Sequence, residues 1–128
     1  MMLANPNKKE QETKKGTRLD KRQVTFKIAL ENDLHNDYSF RQLKGDSIKN
    51  FQRFLDETVY KGLTITQVDS LYLRTKGPVK ESCEINGEKR DIVHYGKDRN
   101  PLRVHGYFNE KNYFVIYKID PKHNVHRE

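Results

Sequence analysis

PLRVHGYFNEKNYFVIYKI, residues 101–119, decides how this chain folds. Successive side chains in a strand point to opposite faces, so two alternating runs joined by a short polar loop make a hairpin with one apolar side. In PLRVHGYF, Leu102, Val104 and Phe108 share one face, and Arg103, His105 and Tyr107 share the other. In NYFVIYKI, strict alternation sets Phe114 and Ile116 on a face with Lys118. It sets Tyr113, Val115, Tyr117 and Ile119 on the opposite face. The loop Asn109–Asn112 joins the two runs.

Reading outward toward the N-terminus, GKDRNP, residues 96–101, is a loop. VKESCEI and EKRDIVHYG flank Asn86-Gly87, the dipeptide that favours a type I′ turn and hence a second hairpin. Within EKRDIVHYG, Ile92 and His94 share one face, and Asp91, Val93 and Tyr95 the other. Before Gly77-Pro78 the period changes from two to that of a helix. Ile48, Phe51, Leu55 and Val59 keep helical spacing after Asp46 or Ser47 as N-cap, and Gly62 ends that helix. Thr64 and Gln67 form a capping-box pattern for a second, short helix, TITQVDSLYLR, with Ile65, Val68, Leu71 and Tyr72 as its buried stripe. SFRQLKGDS holds a short helical turn, and QVTFKIALE, residues 23–31, alternates Val24, Phe26, Ile28 and Leu30 as a half-buried strand. The expected architecture is α+β, in the order β-α-α-β-β-β-β, with one antiparallel sheet and two helices packed on one face. Residues 23–128 form a single domain of this class.

Residues 1–22 differ. They hold 7 basic and 3 acidic groups and almost no large apolar side chain after Leu3, so they read as a flexible basic arm. Residues 97–128 carry 7 basic and 4 acidic groups, while residues 23–96 carry 11 of each. The net charge of +7 therefore sits at the two ends of the chain. If those ends meet, they form one basic surface for a phosphate backbone or an acidic protein; otherwise they are solvated tails. No apolar run is long enough for a signal peptide or a membrane span. The single cysteine, Cys83, leaves no intrachain disulfide and no cysteine-based zinc cage. A reducing, cytoplasmic setting with no membrane partner is expected.

Arg103, His105 and Tyr107 make the most informative local pattern. Arginine offers a bidentate phosphate-binding fork, histidine can move a proton near neutral pH, and a phenol can donate or stack. A solvent-facing strand would show the same alternation without any chemistry. Further on, Asp120-Pro121 stops the strand, and Asp120 suits a turn cap. Asp120, His123 and His126 are three apart, but no other ligands cluster with them, so no metal and no cofactor is assigned. The helix-GLT-helix unit also fits a DNA-binding module. However, its outward residues Gln67, Asp69 and Ser70 include a carboxylate and no basic group before Arg74.

The element order, FRQLKG at 40–45 and the closing RVHGYFNEKNYFVIYKIDPKH resemble the RelE/ParE-like toxin superfamily. That resemblance implies a RelE-like fold whose concave face meets RNA on the ribosome, and an acidic antitoxin-like partner. It implies metal-independent cleavage by the RNA 2′-OH. Arg103 would stabilise the phosphate, His105 or His123 would move the proton, and Tyr107 would position a base. Lys97, Arg99, Lys118 and Lys122 would hold the backbone. The chain departs from those toxins in its first 22 residues and in an extra hairpin, and it carries no diagnostic catalytic motif. The closing R-x-H-G, then D-P-x-H, is similar to that of small uncharacterised bacterial proteins carried by mobile elements, for which no activity is implied. The functions left open are an RNA-directed protein, including an endoribonuclease, and a non-catalytic protein-interaction or DNA-binding module.

Overall fold

The strand β5, Arg103–Phe108, lies at the centre of the fold. In the computed structural model, which describes residues 23–34, 38–74 and 81–122, it sits in a four-stranded sheet of order β1-β6-β5-β4. Here β1 is Ile28–Ala29, β4 is Val93–Gly96 and β6 is Phe114–Asp120. A separate two-stranded sheet holds β2, Ser82–Ile85, and β3, Glu88–Asp91. Between β1 and β2 come a 3-10 turn, Phe40–Gln42, and two helices, α1 (Asp46–Glu57) and α2 (Ile65–Tyr72). The arm proposed for residues 1–22, and His123 and His126, lie outside the described residues.

Local signals in the sequence account for most of these elements. Thr64 and Gln67 form the reciprocal capping box that starts α2. Asn86 and Gly87 both take positive φ, 51° and 83°, as a type I′ turn requires. The Asn109 carboxamide accepts from the backbone of Lys111 and Tyr113 and so closes the β5–β6 loop. Asp120 caps the strand end by accepting from the Lys122 amide at 3.3 Å.

The sheet differs from the expected one in three respects. It is mixed, because β1 runs parallel to β6 and contributes only two residues. The preceding residues leave it: Phe26 and Ile65 bond instead to the backbone of Leu63 and Val24. EKRDIVHYG is not one strand, because the ladder breaks at Ile92, whose amide donates to Glu81. β2 and β3 thereby swing out of the main sheet and lie over its second face. Finally, the β5–β6 register shifts between His105 and Gly106, with Lys118 opposite His105 and Ile116 opposite Gly106. Tyr117 is the extra residue, a β-bulge that reverses the alternation beyond it. Lys118 therefore joins the His105 face, and Ile119 joins the core of Phe114 and Ile116, the reverse of strict alternation.

The helices pack on one face, as expected. That core unites Phe54, Ile65, Val68 and Tyr72 with Phe26, Tyr95, Val104, Phe114, Ile116 and Ile119. Phe26 sits among the rings of Phe54, Tyr95, Phe108 and Phe114 at centroid distances of 5.7–6.5 Å. The helical stripe is rotated from its expected position. Phe54, not Ile48, is the fully buried residue of α1, and Leu71 and Leu30 face solvent. Asp69, read as outward, accepts from the Tyr95 hydroxyl at 2.6 Å. The second face carries a smaller core of Ile85, Ile92, Tyr107 and Val115 beneath the β2–β3 hairpin.

Candidate nucleic-acid interface

Arg103, His105 and Tyr107 share one sheet face, and all three are buried, with 6%, 3% and 2% of their surface exposed. Each has structural partners. The Arg103 guanidinium donates from Nη1 to the carbonyls of Lys97, Asn100 and Leu102, and so pins the 97–102 loop. His105 stacks on its cross-strand neighbour His94, with ring centroids 4.2 Å apart. His94 Nε2 lies 2.6 Å from Glu81 Oε1, which ties the start of the covering hairpin to the sheet. The Tyr107 hydroxyl donates to Glu31 and accepts from Asn32, and the Arg90 guanidinium lies 4.7 Å above its ring. Burial pushes the Tyr107 phenol up, assisted by the Glu31 carboxylate. Beside them the Cys83 thiol donates to the Tyr117 hydroxyl at 3.6 Å, and that contact raises the Tyr117 phenol. A group that touches substrate must reach solvent, and this stripe is occupied in holding loop, sheet and hairpin together.

The open polar surface lies beyond the end of that stripe, next to Asp120, the cross-strand neighbour of Arg103. A groove of about 590 Å³ is lined by Tyr38, Arg41 and Lys44, by Asn50 from α1, and by Asp120 and Lys122 at the end of β6. Local sequence sets its wall. Ser39 and Gln42 form a capping box around the 3-10 turn. Phe40 packs edge-on against Phe51, with centroids 6.0 Å apart, and Leu43 packs on the core. Leu43 is half-buried there while Phe40 keeps 42% of its surface exposed, and Arg41, Gln42 and Lys44 are exposed beside them. Gly45, at φ 51° and ψ −119°, then turns the chain into α1 through a conformation that a side chain would strain.

Asn50 also borders a small crevice of about 10 Å³ beside α1, lined by Arg53, Tyr72, Lys97 and Asn100 and by the buried Phe54, Tyr95 and Val104. There Lys97 Nζ lies 2.9 Å from Glu57 and 4.8 Å from the Tyr72 ring centroid. The Tyr72 hydroxyl also donates to Glu57. Those two hydrogen bonds, Tyr72 first, hold the Glu57 carboxyl below its usual range, and burial raises the Tyr72 phenol.

Of the expected nucleic-acid contacts, Lys122 lines the groove and Lys97 the small crevice. Lys118 lies 5.7 Å from the ring of Tyr38, which is itself a groove residue. Arg99 is exposed in the 97–100 turn at φ 66°. Arg41, Lys44 and Arg53 are additions. They fall in the charge-neutral middle of the chain, where a tally by segment hides them, although Arg41 and Lys44 lie in the FRQLKG stretch. Among the described residues no group of three or more His, Cys, Asp or Glu could hold a metal ion, and no helix is long and apolar enough to cross a membrane. No protein family, curated protein or solved structure matches the chain.

Proposed function

We propose that this protein binds RNA or a related polyanion at the groove beside α1 and does not cut it. The observation that carries the reading is the groove with Arg41, Lys44 and Lys122 on its walls, with Arg53 and Lys97 at a small crevice that shares Asn50 with it. Clustered fixed cations next to an open groove attract a phosphate backbone, and counterion release makes the binding strong at low salt. The toxin-like alternative requires Arg103, His105 and Tyr107 to touch the scissile phosphate, and their burial argues against that role.

The test is fluorescence anisotropy of a labelled RNA across a salt series, with the wild type and the Arg41→Ala/Lys44→Ala/Lys122→Ala variant. The variant should bind at least about ten-fold more weakly, and its log–log salt slope should flatten by about two, as expected for three lost phosphate contacts on a single strand. Unchanged affinity and slope would remove the groove from the reading. RNA recovered intact after incubation is the accompanying expectation. Cleavage by the wild type that disappears in His105→Ala would establish the toxin-like alternative instead.

A further inference from the structure

Building on the polyanion reading, we propose that the groove beside α1 takes one unpaired nucleotide, with its base against Tyr38 and its phosphate among Arg41, Lys44 and Lys122. Size, charge and an aromatic ring coincide there. The groove's 590 Å³ falls inside the ~300–1,000 Å³ range of pockets that enclose a small molecule. A single nucleotide enters such a space, whereas a paired base stays stacked between two backbones and offers only its phosphates.

The groove's charge comes from three cations set against two carboxylates, Asp46 and Asp120. Asp120 is fully buried and sits opposite Arg103 in the strand register. Asp46 occupies the first turn of α1 and offsets the partial positive charge of the helix end, so the side-chain cations supply the attraction. Tyr38 distinguishes this groove from a simple phosphate site. Its half-buried ring lines the same space, with the Lys118 ammonium 5.7 Å from its centroid. A cationic groove with an aromatic wall is the arrangement that holds unpaired bases irrespective of sequence, because every base has a π-face. The Asn50 carboxamide, which also lines the groove, adds both donor and acceptor capacity for a base edge.

A free mononucleotide and an unpaired nucleotide within a strand present the same chemistry, and the experiment separates them. The full chain is titrated by fluorescence anisotropy, at one fixed salt concentration, with an unstructured RNA, an unstructured DNA and a blunt duplex of equal length. AMP and heparin serve as competitors. An unstructured strand should bind at least about five-fold tighter than the duplex, with Tyr38→Leu losing that preference and Tyr38→Phe keeping it. Displacement of the strand by AMP would assign the groove to free nucleotides, and strand preference without displacement to strands; either outcome upholds the inference. Equal binding of strand and duplex by the wild type would overturn it, and that result does not depend on any variant folding. If the Arg41/Lys44/Lys122 variant still weakened binding in that case, the polyanion reading would stand alone. No binding to any polymer or to heparin would remove the polyanion reading and the inference together.

Discussion

Arg103 and Arg41 carry the same guanidinium to opposite ends. Arg103 is buried and gives its donors to the carbonyls of the 97–102 loop, while Arg41 stands exposed on the wall of an open groove. The contrast extends to their neighbours. Around Arg103 run His105 and Tyr107, each held by a ring or a carboxylate. Around Arg41 stand Lys44, Lys122 and Tyr38. Strand periodicity says which side chains share a face. It does not say whether that face meets water, which depends on what distant parts of the chain lay over it. Here the β2–β3 hairpin lies over the face of His105 and Tyr107, the helices cover the other face, and the groove of Arg41 opens beyond the strand ends.

The most severe way to break this arrangement lies between His105 and Tyr107. A Cβ on Gly106 would collide with the Val115 carbonyl and the Phe114 ring, at the point where the bulge brings β5 and β6 together. Gly106→Ala should cost about 3 kcal/mol or more, read by chemical denaturation, because backbone on a central strand cannot yield cheaply. Stability within about 0.5 kcal/mol of the wild type would mean the sheet is looser there than described.

The two arginines come next. Arg103→Ala should destabilise the fold by roughly 3 kcal/mol, since buried carbonyls and the buried Asp120 lose a charged neighbour, while leaving RNA affinity unchanged at a temperature where the variant is folded. Arg41→Ala should do the reverse, moving stability by less than about 0.5 kcal/mol and weakening RNA binding about three-fold. Thermal melts and anisotropy on the same two preparations check both halves. A loss of affinity in Arg103→Ala equal to that in Arg41→Ala would erase the distinction between the two regions.

A smaller effect tests the neighbouring crevice. The Glu57 carboxyl is held below its ordinary value of 4.5 by Tyr72 and Lys97, so the folded state binds the proton more weakly than the unfolded chain. Its contribution is therefore fully present above about pH 4.5 and declines as the pH falls below that value toward the lowered one. The stability advantage of the wild type over Glu57→Gln, measured by denaturation across pH 3–7, should shrink on the acid side and stay level above. An advantage constant across that range would show that the carboxylate's charge plays no part.

Much of the fold was legible because it rests on short-range chemistry. The capping box at Thr64 and Gln67, the Asn86-Gly87 turn, the strands on either side of Asn109 and the two-helix face all follow from residues a few positions apart. The unreadable parts depend on contacts distant in sequence. Nothing near Tyr117 announces the bulge that exchanges the faces of Lys118 and Ile119. The break at Ile92 is decided by a second core that joins it to Tyr107 and Val115. Phe54 displaced Ile48 as the anchor of α1 because the ring cluster around Phe26 lies on that side. The grouping of Arg103, His105 and Tyr107 on one face was readable, but their burial was not. Arg41 and Lys44 were unreadable for a related reason, since a contact distant in sequence, between the 38–47 segment and the end of β6, sets them beside Lys122.

Backbone amide shifts during titration of the ¹⁵N-labelled chain with an unstructured RNA report on both regions at once. Progressive shifts are expected at residues 38–50 and at Lys122, with Arg103 to Tyr107 and His94 nearly still. Shifts concentrated at His94 and Arg103 to Tyr107, with residues 38–50 unmoved, would contradict it and return the function to the buried face.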